Sequence, residues 1–409
     1  MKNKTFSIIF VSILCFNIFF LLFSFEFSPV RIVMDVDKLD NGDFIIIESI
    51  SSSPLSIFTR GYIPNSRVII LDNNYVPYWE YDLDLIFGHE VIYMNNTNTV
   101  LIVDSTNNRV IEVAIENKSI VWEWSANKAN WTKYNPDWAD VDYIQNPNVT
   151  DWTHINHVNY IPERNSLLLS IRNFDMLIEI PYNESCYDRI LWYYGEVGNY
   201  SKLNHQHNPE VLDNGNILIC DSENDRIVEI NYTTKEEVWI YNNNGNLDWP
   251  RDCDYIGSGK YAGCYLITDS LFSRIIVLEP ISKTIQLILS TNLIVPYEAD
   301  HIPDEDCFIV GNSFNTQFVI FNNQGFVVSS CGIPILGDIL IINLSVYIIY
   351  YGFGIYKSVK KGKKITHRKN IERFFYIGLL LLCIFFNTLI FSVFGQKIIY
   401  PVMENIILR

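Results

Sequence analysis

The sequence predicts an all-β fold, a six-bladed β-propeller, joined to one N-terminal and two C-terminal transmembrane helices. Three observations carry this prediction. A unit of about fifty residues recurs six times, which is the period of a propeller blade. Each copy breaks into three or four short runs of Val, Ile, Leu and aromatics, parted by Asn, Gly and Asp turns. Outside the repeats stand three apolar runs long enough to span a bilayer.

The copies follow in order. "GDFIIIES…SRVIILDNNYVPYWEYD", from Gly42, is a first unit carrying an insertion. "NTVLIVDSTNNRVIEVAIENKSIVWEW" begins at Asn98, and "NSLLLSIRNFDMLIEI", at Asn165, is the same unit with its Asp replaced. The remaining three begin at Gly215, Gly263 and Asp306. No amphipathic helical stretch of useful length lies between Arg31 and Ser330. A propeller packs such four-stranded units radially and leaves only short edges. Five or seven blades are alternatives, as is a parallel β-helix, whose repeats are shorter.

The ends are different material. Residues 6–25 are almost wholly apolar after Lys2 and Lys4, and read as an uncleaved anchor. A cleaved signal peptide is the rival, but no small-x-small cleavage site follows. Residues 333–356 and 374–394 form two more spans around a basic loop, 357–373, where "KSVKKGKKITHRK" carries seven Lys/Arg. The positive-inside rule puts both basic segments in the cytoplasm. Residues 27–332 then lie on the extracytoplasmic side of a multi-pass protein of the cell membrane.

That outer segment holds 18 Lys/Arg against 42 Asp/Glu, a net charge of −24. Such a surface repels nucleic acid and anionic lipid. Seven N-x-[ST] sequons, at Asn95, Asn117, Asn130, Asn148, Asn183, Asn199 and Asn231, agree with an external, glycosylated domain. Of the six outer cysteines, Cys253 and Cys264 flank a short loop and are the expected disulfide. Asp104, Asp221 and Asp269 each open the motif D-S-x-x-x-R. Calcium needs more oxygen ligands than this loop offers, so the motif reads as a turn Asp pairing with Arg109, Arg226 or Arg274. The tryptophans of "IVWEW", "RILWYY" and "EEVWIY" read as packing between blades.

In a propeller the innermost strands start near the axis, so residues at their entrances converge. The entrances read "GHEVIYM", "HINHVNYIP", "HQHNPEVL", "PRDCDYIG" and "PYEADHIP". The equivalent positions are His89, Asn156, His207, Arg251 and Tyr297, with His154 two residues before Asn156 on the same side of an extended chain. Six of the seven histidines stand at entrances. A lone histidine is more often structural, but a set converging on one axis points to chemistry. Arg172 lies eighteen residues after His154, one strand and its return. A planar guanidinium there clamps a tetrahedral oxyanion. Histidines and an arginine without a carboxylate-rich metal cage suggest sulfuryl or phosphoryl transfer through a histidine nucleophile.

"DWTHINHVNYIPERNSLLLSIR" and "QHNPEVLDNGNILICDSENDR" resemble the arylsulfotransferase family, also called arylsulfate sulfotransferases. The resemblance covers most of residues 85–310. It implies a six-bladed propeller outside the cytoplasm, working without a nucleotide donor; no cofactor and no metal are expected. It also implies sulfuryl transfer from an aryl sulfate donor to a phenolic or other hydroxyl acceptor, through a sulfo-histidine. By this resemblance His207 is the nucleophile, and His154 and Arg172 hold the sulfuryl group and the leaving phenolate. His89 is the remaining catalytic histidine. Asn156, Arg251 and Tyr297 are expected to line the substrate site from their places at the strand entrances; the resemblance assigns no role to Arg251 or Tyr297. The family's N-terminal sandwich domain is missing here, and the two C-terminal spans are additional. A binding or scaffold propeller and a histidine metal site are the rival readings.

Overall fold

The computed structural model describes residues 32–49, 66–134, 151–184 and 187–332. The three apolar runs, the basic loop, Asn148 and Cys186 lie outside the described residues. Among the described residues no helix is long and apolar enough to cross a membrane.

Among the described residues, twenty-four strands form six four-stranded antiparallel sheets, each built from consecutive strands. Blade 1 is β1 (Val33–Lys38), β2 (Phe44–Glu48), β3 (Arg67–Leu71) and β4 (Pro77–Tyr81). Blade 2 is β5 (Gly88–Met94), β6 (Thr99–Asp104), β7 (Arg109–Ala114) and β8 (Ile120–Ser125). Blade 3 is β9 (Ile155–Ile161), β10 (Ser166–Ile171), β11 (Met176–Pro181) and β12 (Trp192–Gly195). Blade 4 is β13 (His207–Val211), β14 (Ile217–Asp221), β15 (Arg226–Ile230) and β16 (Glu237–Tyr241). Blade 5 is β17 (Pro250–Tyr255), β18 (Tyr265–Asp269), β19 (Arg274–Glu279) and β20 (Thr284–Leu289). Blade 6 is β21 (Glu298–Ile302), β22 (Cys307–Asn312), β23 (Gln317–Asn322) and β24 (Val327–Gly332). The expected six-bladed propeller is the fold, and the insertion in the first repeat falls between β2 and β3.

Burial explains the sequence pattern strand by strand. The second strand of each blade is covered on both faces by neighbouring blades, so "FIIIE", "SLLLSI" and "ILICD" are buried at every position. The outermost strands face solvent, "EVWIY" being mostly exposed and "TIQLIL" alternating residue by residue. The core is a series of wedges between blades. One joins Leu101 and Val103 to Leu167 and Leu169 across blades 2 and 3. Another joins Val33 and Phe44 to Ile309 and Phe318, closing blade 6 on blade 1 with side chains rather than an exchanged strand.

The D-S-x-x-x-R motif is a joint. Arg109 Nε lies 2.8 Å from Asp104 Oδ2, and Arg226 and Arg274 lie 2.6 Å from Asp221 and Asp269. Glu48 and Arg67, 2.7 Å apart, do the same in blade 1. The other carboxylate oxygen of Asp221 accepts from the Asn204 amide, and that of Asp269 from the Asp248 amide, tying down the incoming linker. The serine that follows reaches the next blade. Ser49 donates to Gly88 O, Ser105 to Ile155 O, Ser222 to Pro250 O and Ser313 to Val33 O, each the first residue of the next innermost strand. The outer tryptophans also cross joints. The indole N–H groups of Trp79, Trp192 and Trp239 donate to the carbonyls of Ile115, Tyr232 and Pro280.

The expected Cys253–Cys264 disulfide is absent: both are buried free thiols. They face opposite sides of blade 5. Cys253 packs with Cys220 in the wedge toward blade 4, and Cys264 with Leu266 and Phe308 in the wedge toward blade 6. A strand alternates its faces, so nearness in sequence does not bring these sulfurs together.

Candidate active site

Sheet register defines the ring of residues at the strand entrances. Val33, Gly88, Ile155 and Pro250 pair with Glu48, Asp104, Ile171 and Asp269. In blades 4 and 6 the pairs one step further in are His207 with Cys220 and Glu298 with Gly311. The equivalent inward residues are therefore Met34, His89, Asn156, His207, Arg251 and Glu298. Tyr297 stands one residue earlier than expected from the sequence alone. Innermost strands of blades 1–5 each carry a register shift near the entrance, and that of blade 6 does not. Counting from a common motif therefore slips by one there. Tyr297 still lines the same cavity, together with all six ring residues, Glu90, His157 and Asn208.

His207 is buried, and its tautomer is fixed by its neighbours. The Ser222 hydroxyl lies 2.6 Å from Pro250 O and 2.8 Å from His207 Nδ1. A carbonyl can only accept, so the single hydroxyl hydrogen goes to Pro250. Nδ1 must then carry the imidazole hydrogen and donate it to Ser222. The lone pair is left on Nε2, which is buried without a hydrogen-bond partner. Burial, then Arg251 and Arg172, hold the imidazole well below its usual pKa. His207 thus presents a neutral, unsolvated nitrogen lone pair to a cavity, the form in which histidine acts as a nucleophile.

His154 is bonded through Nδ1 to Asp151 Oδ2 at 2.8 Å. Burial pushes the Asp151 carboxyl up to about 8, and it holds His154, with help from Arg172 and Arg251, well below the imidazole range. At neutral pH the pair holds one proton on the carboxyl, donated to Nδ1, so that Nε2 carries an N–H. His154 does not sit on an extended chain as expected. Its φ is +44°, a left-handed turn just before β9. The turn is tied to Arg172, whose amide donates to His154 O, and to Asn173, whose amide donates to Thr153 O. His154 and Arg172 are thereby positioned as a unit.

His89 completes the group. Its ring centroid lies 5.2 Å from His154 and 6.3 Å from His207, and Phe87 covers both His89 and His154. Burial, then His154 and Arg251, hold it well below the usual imidazole range. Asn156 donates to Gln206 O at 2.9 Å and leaves its carbonyl oxygen unpartnered. Arg251 is buried, with Trp249 and Tyr297 each 4.2 Å from its guanidinium carbon. Arg172 is also buried; one nitrogen donates to Asn173 and another lies 4.0 Å from Glu223.

Five of the histidines gather at this end, not six. His301 sits at the far end of β21, paired with Asp306 and packed on Phe308. His157 lines the cavity and meets Glu90 at 3.1 Å, while His205 lies beside Tyr200.

Sequence reasoning missed several residues. Asp151 was legible as a carboxylate three before His154. Ser222 was hidden inside a repeated motif, and Trp249 directly precedes the entrance proline. It also missed a cluster of acids on the innermost strands. Oxygens of Asp35, Glu298 and Asp300, and of Asp252, Asp254 and Glu298, approach within 4.8 Å of one another. These are the groups among the described residues whose spacing suits a metal ion, and neither includes a histidine. The expectation of a site free of clustered carboxylates was therefore wrong: Glu298, a member of both groups, lines the same cavity as His89 and His207.

The chain is a six-bladed propeller whose axial entrance gathers three close histidines and two arginines. Residues 30–207 match the model of the family Arylsulfotransferase (ASST), a segment under half the chain that holds His89, His154, Asn156 and Arg172 and ends on His207. No curated protein matches. Among solved structures, the chain is 12% identical to a protein of unknown function from Bacteroides caccae, covering 65% of this chain and 89% of that one, with a TM-score of 0.46. A streptogramin B lyase is 10% identical over 75% and 84%, with a TM-score of 0.46. A virginiamycin B lyase from Staphylococcus aureus, solved with quinupristin, is 12% identical over 68% and 76%, with a TM-score of 0.42.

Proposed function

We propose that this protein is a membrane-anchored, extracytoplasmic arylsulfate sulfotransferase working through a sulfo-histidine on His207. The observation that carries the reading is the buried, unpartnered Nε2 of His207, made a lone pair by the Ser222–Pro250 hydrogen bond. The arylsulfotransferase match over residues 30–207 supports it.

In the first half-reaction His207 Nε2 attacks the sulfur of an aryl sulfate. The sulfur–oxygen ester bond breaks, and its electron pair leaves with the phenolate oxygen. His154 Nε2 gives that oxygen a proton, and Asp151 replaces it through Nδ1. Arg172 stabilises charge on the sulfuryl oxygens. The sulfated imidazole keeps its Nδ1–H on Ser222, so it carries a positive charge and is a good leaving group. In the second half-reaction an acceptor hydroxyl returns its proton to the His154–Asp151 pair and attacks sulfur. The nitrogen–sulfur bond breaks, and its electron pair returns to His207. His89 faces both the nucleophile and the acid from within the cavity. The apolar ends would hold this site at the outer face of the membrane.

The test uses the purified full chain, a fluorogenic aryl sulfate and mass spectrometry of its peptides. A sulfuryl adduct on His207, discharged by phenol and lost in His207→Asn, is expected. Turnover without any adduct on His207 would reject the assigned nucleophile. No adduct and no turnover across several donors would favour a binding propeller instead.

A further inference from the structure

Arg251 is out of place by ordinary rules of burial. It is 5% exposed, yet no hydrogen bond or ion pair links its guanidinium to another described residue. Trp249 and Tyr297, nearly perpendicular to each other, pack against it at 4.2 Å each and supply no acceptor to its N–H donors. Glu90 and Glu298 line the same cavity, but neither comes within ion-pair distance of it. A buried charge without a partner is costly, and proteins retain one where a ligand supplies the partner. The unmet donors share a cavity with His207, His89 and Asn156. After burial, Arg251 does most to lower the pKa of His207, ahead of Arg172.

We propose that Arg251 is a second anion clamp. Packed between Trp249 and Tyr297, it binds the oxygens of a tetrahedral oxyanion beside His207, so the site takes a free dianion such as inorganic sulfate as well as a sulfate ester. This deepens the sulfotransferase reading and rests on it for the identity of the transferred group. A sulfate ester presents three terminal oxygens and one negative charge; free sulfate presents four and two. The unmet donors of Arg251 are served by either, and sulfate is expected to compete with the aryl sulfate donor.

The test is direct binding of sodium sulfate, and separately of inorganic phosphate, to the full chain in detergent, by calorimetry at constant ionic strength. Wild type is expected to bind sulfate, with affinity at least tenfold weaker in Arg251→Gln. Arg251→Lys keeps the charge but loses the planar fork and is expected to fall between the two. The melting temperature of each variant without anion shows that it is folded; if Arg251→Gln is not, Arg251→Lys carries the comparison. Equal sulfate affinity in wild type and in the folded variants overturns the proposal, as does a wild type that binds neither anion. Binding of phosphate in place of sulfate, lost with Arg251, supports the clamp and moves the transferred group toward phosphoryl. Arg251-dependent binding with no turnover of any aryl sulfate leaves the clamp standing and rejects the sulfotransferase.

Discussion

Four of the six joints of this propeller are made alike; at the joint between blades 5 and 6 the equivalent Ser270 hydroxyl is buried without a partner among the described residues, and the joint between blades 3 and 4 is rebuilt. At the four, a serine at the end of one blade's second strand donates to the first carbonyl of the next blade. At the third joint the equivalent pair, Asp then Ser, has become Ile171 then Arg172. The latch moves one residue pair inward. Ser170 and Asn156 both donate to Gln206 O, and the Gln206 side chain donates back to Ser170 and to Met176 O. At the third joint the repeat has given up the residues of its own fastening and rebuilt it from side chains that nothing else in the repeat requires. What it obtains is a guanidinium among the histidines. Departure from a repeat therefore marks function more sharply than any single residue type.

The largest expected effect is at the nucleophile. His207→Asn removes the lone pair and is expected to lower transfer by about 10⁴-fold or more, with the melting temperature little changed. Arg172→Ser tests the comparison itself, because it restores the repeat. Turnover is expected to fall by about 10²–10³-fold, the scale of a lost oxyanion partner, while stability holds or rises. A variant that lost stability and kept its kcat/KM would show that the arginine is there for the joint.

The acid pair should be visible in pH. Below about 8 the Asp151 carboxyl keeps its proton and His154 Nε2 keeps its N–H; above it the pair loses that proton. The burst of phenol release is therefore expected to slow as pH rises through about 8. On the acid side His207 stays neutral below the usual imidazole pKa, so the burst should persist there. Asp151→Asn is expected to remove the alkaline limb and to slow the burst by at most about 10²-fold. An alkaline limb unchanged in that variant would assign the proton elsewhere.

Serine supplies the next contrast. Ser105 and Ser222 make the same latch, but only Ser222 also accepts from a site histidine. Each Ser→Ala change is expected to cost about 1–2 kcal/mol of stability. Only Ser222→Ala should also slow sulfation of His207, by about tenfold, because the tautomer is no longer fixed. Equal kinetics in the two variants would remove Ser222 from the mechanism.

How far the sequence could be read follows the same division. The blades were legible because burial on both faces turns a strand into an unbroken apolar run, and "SLLLSI" and "FIIIE" say so without help. Convergence of His89, Asn156, His207 and Arg251 was legible because one motif could be laid over each repeat. Tyr297 was misplaced by one residue, since a register shift leaves no mark in composition. His301 was counted at an entrance because strand direction was not followed to its end. Asp151 and Ser222 act through a left-handed turn and a shared hydroxyl, and neither geometry has a residue signature. The Cys253–Cys264 pairing failed because spacing was weighed and strand facing was not.

The smallest prediction separates two tryptophans. Trp239 belongs to an outer strand, and its indole N–H fastens blade 4 to Pro280 of blade 5. Trp249 lies at the entrance of blade 5, and its ring covers Arg251. Trp239→Phe keeps an aromatic ring and loses one hydrogen bond, so about 1 kcal/mol of stability is expected to go, with kcat/KM unchanged. Trp249→Leu removes a ring that packs against the guanidinium and holds it in place, so sulfate affinity should fall while the outer joints hold. Chemical denaturation reads the first and calorimetry the second. If Trp239→Phe altered turnover, the outer joints would be setting the geometry of the axis, and the separation between fastening and chemistry drawn from the third joint would fail.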